Sequence, residues 1–269
     1  MKKRRKKRRK LGCLFFVILI VLLIIFTVSK CEKRNDTTPS QKQSHYNTSD
    51  INEMITNFAK KHNLQTGAYP ERLVEMLKKN PETKDFVLNY PLNKEKNYKI
   101  DLSDVKNDKN VPLLLQWDER WGYSQYAGDL MGLTGCGPTC LSMVSIHLLK
   151  DDKYTPKYIA RFAERNGYSV VGSGSSWNLI SEGGKELGLD VTEIPLNENR
   201  IIRNLEVGNP IICIMGAGDF TSTGHFIVMT EYTDGKIKVN DPNSQIRSKK
   251  LWELDDIKYQ IKNLWVCRK

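Results

Sequence analysis

Leu11 to Ser29 are nineteen consecutive positions without a charge, made mostly of Leu, Ile, Val and Phe. A helix rising about 1.5 Å per residue needs about 20 such residues to cross the hydrocarbon of a bilayer. Lys30, Glu32, Lys33 and Arg34 close the run abruptly. The segments on either side of it therefore belong on opposite faces of a membrane. Lys2 to Lys10 are nine consecutive basic residues, and the positive-inside rule keeps such a run in the cytoplasm. A cleaved signal peptide has a shorter apolar core, about 7–15 residues, and small residues at the cut. Thr27-Val28-Ser29-Lys30-Cys31 makes a poor cut site, and Lys30 is out of place before a lipid-modified cysteine. The expectation is a cytoplasmic tail over 1–10, a single-pass signal anchor over 11–29, and an extracellular remainder.

The same basic run decides what the charge means. Subtracting its nine residues from the formal net charge of +11 leaves +2 for everything else. A basic surface for nucleic acid would be spread over a folded domain; here the excess is a flank of the anchor, and no nucleic-acid partner is expected.

Residues 30–50 are rich in Lys, Ser, Thr, Asn, Gln and Asp, the composition of a flexible stalk. Residues 51–110 read as a small helical arm. Ser49-Asp50 caps a first helix from Ile51 to about Lys61, Tyr69-Pro70 opens a second, and a third covers Glu82 to Asn89, stopped by Pro91. The main unit is 111–269. Helices are expected after Gly135, from Pro156 to about Asn166, and from Trp177 to Leu187. Strands come after them, over Asp190–Ile194, Pro210–Met215, His225–Thr233, Lys236–Asn240 and Leu264–Cys267. Helices first and a mostly antiparallel sheet second make the fold class α+β.

The chemistry concentrates at Gly135-Cys136-Gly137-Pro138-Thr139-Cys140. Pro138 suits the first turn of a helix, so Cys136 stands where unpaired N–H groups and the positive end of the dipole favour a thiolate. The flanking glycines leave room for a substrate backbone. A redox pair of the Cys-x-x-Cys kind would need one residue fewer, and a zinc site would need two more ligands nearby. A nucleophilic cysteine needs a base. Of the four histidines, His45 lies in the stalk and His62 comes after the first helix. His147 is about 16 Å from Cys136 along its helix. His225, at the rim of the apolar run Phe226-Ile227-Val228-Met229, remains.

An imidazole needs an acceptor to orient it. Asp234-Gly235 reads as a two-residue hairpin turn, and the returning strand leads to Asp241. A simple turn would set Asp241 opposite Val228, three positions from His225, so a bulge or another register would have to close the gap. Asn243 is the alternative orienter. The Cys136 N–H and Gln116 are candidate oxyanion donors. Cys213 and Cys267 sit in apolar strands, free or paired.

Gln116-Trp117-Asp118 with Trp121-Gly122, then Gly135-Cys136-Gly137-Pro138-Thr139, then Gly224-His225-Phe226-Ile227-Val228, then Asn240-Asp241-Pro242, taken in this order, resemble the double-glycine leader peptidase family. These are papain-like cysteine peptidases that process bacteriocin precursors, and the likeness is to their transporter-free relatives. It spans about Val111 to Trp265. It implies a papain-like fold and a Cys136, His225, Asp241 triad. It places Gln116 near the oxyanion hole and implies a peptide or protein substrate, with no metal or cofactor. Gln116 stands twenty residues before Cys136, farther than the family's glutamine, and no phosphate-binding loop of a fused transporter is present in the sequence. Two other functions share these residues. One is a peptide-binding surface module with Trp117, Trp121, Trp177 and Phe220 lining a groove. The other is acyl transfer or cell-wall amide hydrolysis by the same cysteine.

Overall fold

The computed structural model describes residues 46–106 and 108–269. The expected tail, the anchor and most of the stalk lie outside the described residues. Among the described residues no helix is long and apolar enough to cross a membrane.

The helical arm starts at Asn47 rather than at Ser49-Asp50. The Asn47 side chain accepts from the Asp50 N–H while the Asp50 carboxylate accepts from the Asn47 N–H. This reciprocal cap satisfies two donors at the head of α1 (Thr48–His62). Ile51, Ile55 and Ala59 are its buried stripe. α2 (Glu71–Lys79) buries Leu73, Met76 and Leu77, and α3 (Lys84–Asn93) buries Phe86, Val87 and Leu88. α3 begins later than expected and runs through Pro91 instead of stopping at it. The helix ends two residues past the proline, so the missing N–H costs only one bond in the last turn. Lys94 still donates to the Tyr90 carbonyl. The arm shares a core with Tyr123 and Leu130. Phe86 stacks on Tyr123 with 4.5 Å between ring centroids.

The main unit opens with a tight hairpin, β1 (Gln125–Tyr126) and β2 (Asp129–Leu130), then a single turn, α4 (Met131–Thr134). α5 (Cys136–Leu149) is the central helix, buried from Gly137 to Ile146, and α6 (Pro156–Arg165) packs against it. A second hairpin pairs β3 (Ser169–Val170) with β4 (Gly174–Ser175). The helix expected over 177–187 is broken into a π-helical turn, Leu179–Gly183, and the short α7 (Gly184–Glu186). At the break, a Cβ on Gly183 would lie 3.2 Å from the rings of Phe162 and Tyr168, a tight contact that glycine avoids.

The rest is one antiparallel sheet of six strands. Its members are β5 (Asp190–Glu193), β6 (Ile211–Met215), β7 (His225–Thr233), β8 (Lys236–Asn240), β9 (Leu251–Trp252) and β10 (Ile261–Arg268), in spatial order β5-β10-β6-β7-β8-β9. β9 and both short hairpins are not expected from the sequence, nor are α8 (Glu198–Glu206), α9 (Gln245–Lys249) and α10 (Leu254–Ile257). Both faces of the middle strands are covered, which is why β6 and the start of β7 are continuous apolar runs. Ile212, Ile214, Phe226 and Val228 face the core that holds α5. Ile211, Cys213, Met215, Ile227 and Met229 face a second core with Ile201 and Leu205 of α8. Cys267 belongs to the first core and Cys213 to the second, so the sheet separates them; both are free thiols. The architecture is the expected α+β.

Candidate active site

Cys136 is the first residue of α5, with Gly135 as its cap residue. Pro138 falls in the first turn, where no carbonyl waits for its missing N–H. The two glycines serve a different end from the one expected. A Cβ on Gly135 would lie 2.5 Å from the Met131 carbonyl oxygen, and one on Gly137 would lie 2.5 Å from Ser175 Oγ. The protein's own atoms fill the room that was assigned to a substrate. Ser175 Oγ in turn meets the Tyr126 hydroxyl at 2.6 Å, so β4 and β1 are held against the helix start.

Cys136 is partly exposed while Cys140, one turn on, is fully buried. Burial opposes ionisation of the Cys136 thiol. A hydrogen bond and the charge of His225, with the N–H groups of Phe226 and Gly137, outweigh it and hold the pKa below the ordinary thiol value. The other described thiols have no imidazole beside them, and the backbone N–H groups of Met229 at Cys213 and of Ile212 at Cys267 do not offset burial. Burial drives Cys140 and Cys213 up, and Cys267 up to about 12.

His225 opens β7 and is buried. Its Nε2 lies 2.8 Å from Asp241 Oδ1, which leaves Nδ1 for the Cys136 thiol. Burial works against the imidazolium. The charge and hydrogen bond of Asp241, helped by Cys136, prevail and push the pKa up to about 9.

A one-residue irregularity brings Asp241 to the histidine. Asp234 and Gly235 both have positive φ and form the tight turn. Pairing runs Thr233↔Lys236, Tyr232↔Ile237 and Glu231↔Lys238, then resumes at Met229↔Val239 and Val228↔Asn240. Thr230 is the extra residue of a β-bulge. Side chains alternate along a strand, so this shift moves Asp241 from the face of Val228 to that of Ile227 and His225.

Asp241 is fully buried. Oδ1 also accepts from the Asn243 N–H at 2.7 Å, and Oδ2 accepts from Arg247 Nε at 2.5 Å. Burial raises its pKa, but His225 and Arg247 outweigh that and hold the carboxyl below its usual range. Asn243 reaches the histidine only through Asp241.

Gln116 is buried between two parts of the site. Its N–H donates to the Pro242 carbonyl and its Nε2 to the Gly132 carbonyl, each at 2.7 Å. Its Oε1 is buried with no hydrogen-bond partner. Of the four aromatics assigned to a groove, Trp121 and Phe220 are core residues, Phe220 tilted against Trp252. Trp117 is half-buried and donates to the Asn243 carbonyl, while Trp177 is exposed, edge-on to Trp265.

Several residues around Asp241 are not among those expected from the sequence. Arg247 pairs with it, and Ser248 Oγ accepts from its N–H. Asn80 and Glu82 of the arm hold the loop beyond it. Only Arg247 left a signal, a cation six residues after Asp241 in a short polar loop. Among the described residues, no group of three or more His, Cys, Asp or Glu side chains is arranged to hold a metal ion.

Among solved structures, the chain is similar to the peptidase domain of Streptococcus ComA, a bi-functional ABC transporter involved in a quorum sensing pathway. The identity is 17% and the TM-score 0.39, covering 51% of this chain and 93% of that one. It is also similar to a C39-like peptidase from Bacillus anthracis, at 14% identity and a TM-score of 0.40, covering 64% of this chain and 98% of that one. No curated protein matches it. Residues 108–268 match the family described as Peptidase_C39 like, a stretch that includes Gln116, Cys136, His225 and Asp241 and leaves out the helical arm. Matched over more than half its length, the chain belongs to the Peptidase_C39 like family and is a cysteine peptidase.

Proposed function

We propose that this chain is a membrane-anchored peptidase that hydrolyses peptide bonds outside the cytoplasm through a Cys136-His225-Asp241 triad. One observation carries the reading. A partly exposed cysteine at a helix start has its thiolate favoured by a buried histidine, whose Nε2 is 2.8 Å from a fully buried carboxylate. A thiolate and an imidazolium side by side are the resting pair of a cysteine nucleophile.

In this mechanism the Cys136 sulfur attacks the scissile carbonyl carbon, and the carbonyl π pair moves to oxygen. The Cys136 N–H at the head of α5 faces the oxyanion. Gln116 is the second donor, through the amide hydrogen not spent on Gly132. Donors fixed before the reaction stabilise the charge that develops. The tetrahedral centre collapses, the C–N bond breaks, and the His225 imidazolium gives its proton to the leaving amine. Neutral His225 then takes a proton from water, whose oxygen attacks the thioester. The second tetrahedral centre collapses, the C–S bond breaks with its electron pair returning to sulfur, the acid product leaves, and the thiolate–imidazolium pair is restored. Asp241 keeps the ring's tautomer and orientation throughout.

The outward placement rests on residues 1–30, with nine basic residues before the apolar run. A protease added to intact cells is expected to remove the domain after residue 30; complete protection would place it inside. For the chemistry, the full chain is incubated with a peptide library and new termini are read by mass spectrometry. Cleavage is expected from the unaltered chain and not from Cys136→Ala. Products carrying an added amine in place of water would make it a transferase. Retained peptide with no products would make it a binding module.

A further inference from the structure

The Asp241 carboxylate is aimed by two neighbours, the Asn243 N–H on Oδ1 and Arg247 Nε on Oδ2. Both are held from the helical arm, more than 160 residues earlier in the chain. Asn80 Nδ2 donates to the Asn243 carbonyl at 2.6 Å and to its Oδ1 at 3.3 Å. Glu82 Oε2 accepts from the Gln245 N–H at 2.7 Å and the Ile246 N–H at 3.1 Å, and Oε1 accepts from Ser244 Oγ. Those three donors lie at the start of α9, which carries Arg247. The clamp itself is stiff. Asn80 is buried, its Oδ1 accepts from the Glu82 N–H at 3.1 Å, and Pro81 lies between them in a single 3₁₀ turn.

An arm that served only as a spacer would need the apolar contacts it makes with Tyr123 and Leu130. It would not need a buried amide and a carboxylate directed at one loop. We infer that the arm is a working part of the active site, with Asn80 and Glu82 as positioning residues that hold the Asp241 loop and, through it, His225. This rests on the triad reading above. The arm lies outside the family match over 108–268, so the family match by itself does not account for this support.

The test uses the full chain and iodoacetamide, with the alkylation rate of Cys136 tracked against pH by mass spectrometry. Glu82→Gln and Asn80→Ala are each expected to lower the rate at pH 6 by about threefold. Together they are expected to lower it by about tenfold, with the rise in rate moved to higher pH. Ile55→Val in the arm's core is the control for packing alone. It is expected to lower the melting temperature and leave the pH profile in place. Asp241→Asn separates the two claims. A shifted profile in Asp241→Asn with an unshifted one in the double variant overturns the arm's role alone. An unshifted profile in Asp241→Asn overturns the triad reading and this inference with it. Should the double variant lose its fold by circular dichroism, Glu82→Gln decides, and its profile overlying that of the unaltered chain overturns the inference.

Discussion

Asp241→Asn changes one oxygen to an amide nitrogen and removes the charge that His225 and Arg247 share. Asp241 is fully buried, so no water replaces what is lost. Burial alone would hold the His225 pKa below its ordinary 6.5, and the Asp241 charge is the strongest of the effects that lift it to about 9. Without the carboxylate the ring returns to its ordinary value or lower. At about 1.4 kcal/mol per pH unit, a return from about 9 to 6.5 is about 3–4 kcal/mol of lost preference for the imidazolium, roughly three-hundredfold. The thiolate of Cys136 loses its counter-charge to the same extent. Iodoacetamide reads this directly, because only the thiolate reacts. The unaltered chain is expected to alkylate at Cys136 with an acid shoulder, already fast at pH 6. The Asn variant is expected to be about ten- to a hundredfold slower at pH 6 and to rise only towards the ordinary thiol range near about 8.5. The Arg247 guanidinium, left without its carboxylate, also costs stability of about 3 kcal/mol. Circular dichroism should accompany the rates to show that the variant is folded. Superimposable profiles from a folded variant would refute the coupling of Asp241 to Cys136 through His225.

The same geometry makes two further outcomes definite. Gly137→Ala places a methyl 2.5 Å from Ser175 Oγ, so Ser175 must leave Tyr126. A loss of about 1–3 kcal/mol in urea unfolding is expected, with slower Cys136 alkylation, and an unchanged unfolding midpoint would contradict the close approach. The pH dependence of stability carries a definite sign. Because the His225 pKa is raised from 6.5 to about 9, its contribution is complete below about 6.5 and is lost as pH rises through about 9. Asp241, held below its usual range, contributes above about pH 4 and loses its share as pH falls further. Melting temperatures of Cys136→Ala, which removes the oppositely signed thiol, should fall as pH rises above 6.5, over a window that ends below 9 because Cys136 no longer helps to raise His225, and Asp241→Asn in that background should flatten the fall.

Much of the fold was legible because it was written in local patterns. Strand β6 and the start of β7 are continuous apolar runs, Asp234-Gly235 is a turn by its chemistry, and Gly135-Cys136-Gly137-Pro138 marks a helix start. What the sequence did not show depends on atoms far apart in the chain. The Thr230 bulge has no residue signature, yet it decides which face Asp241 takes. The glycines beside Cys136 read as open space and are instead filled by Met131 and Ser175. Trp121 and Phe220 read as a groove because aromatics suit both cores and surfaces, and burial assigned them to the cores. The Glu82 contacts to Ser244, Gln245 and Ile246 span more than 160 residues, beyond the reach of any local pattern. Pro91 reads as a stop because proline is costly inside a helix, but two residues from the end of α3 that cost is small.

Among the four described cysteines, Cys136 is the one that His225 holds as an activated nucleophile. Competitive alkylation of the folded full chain at pH 6 measures this, with the extent at Cys136, Cys140, Cys213 and Cys267 read from one digest. Cys136 is expected to be modified at least about a hundredfold faster than the other three, and that advantage is expected to collapse in His225→Ala. Equal and slow modification of all four, or an advantage that survives His225→Ala, would contradict it.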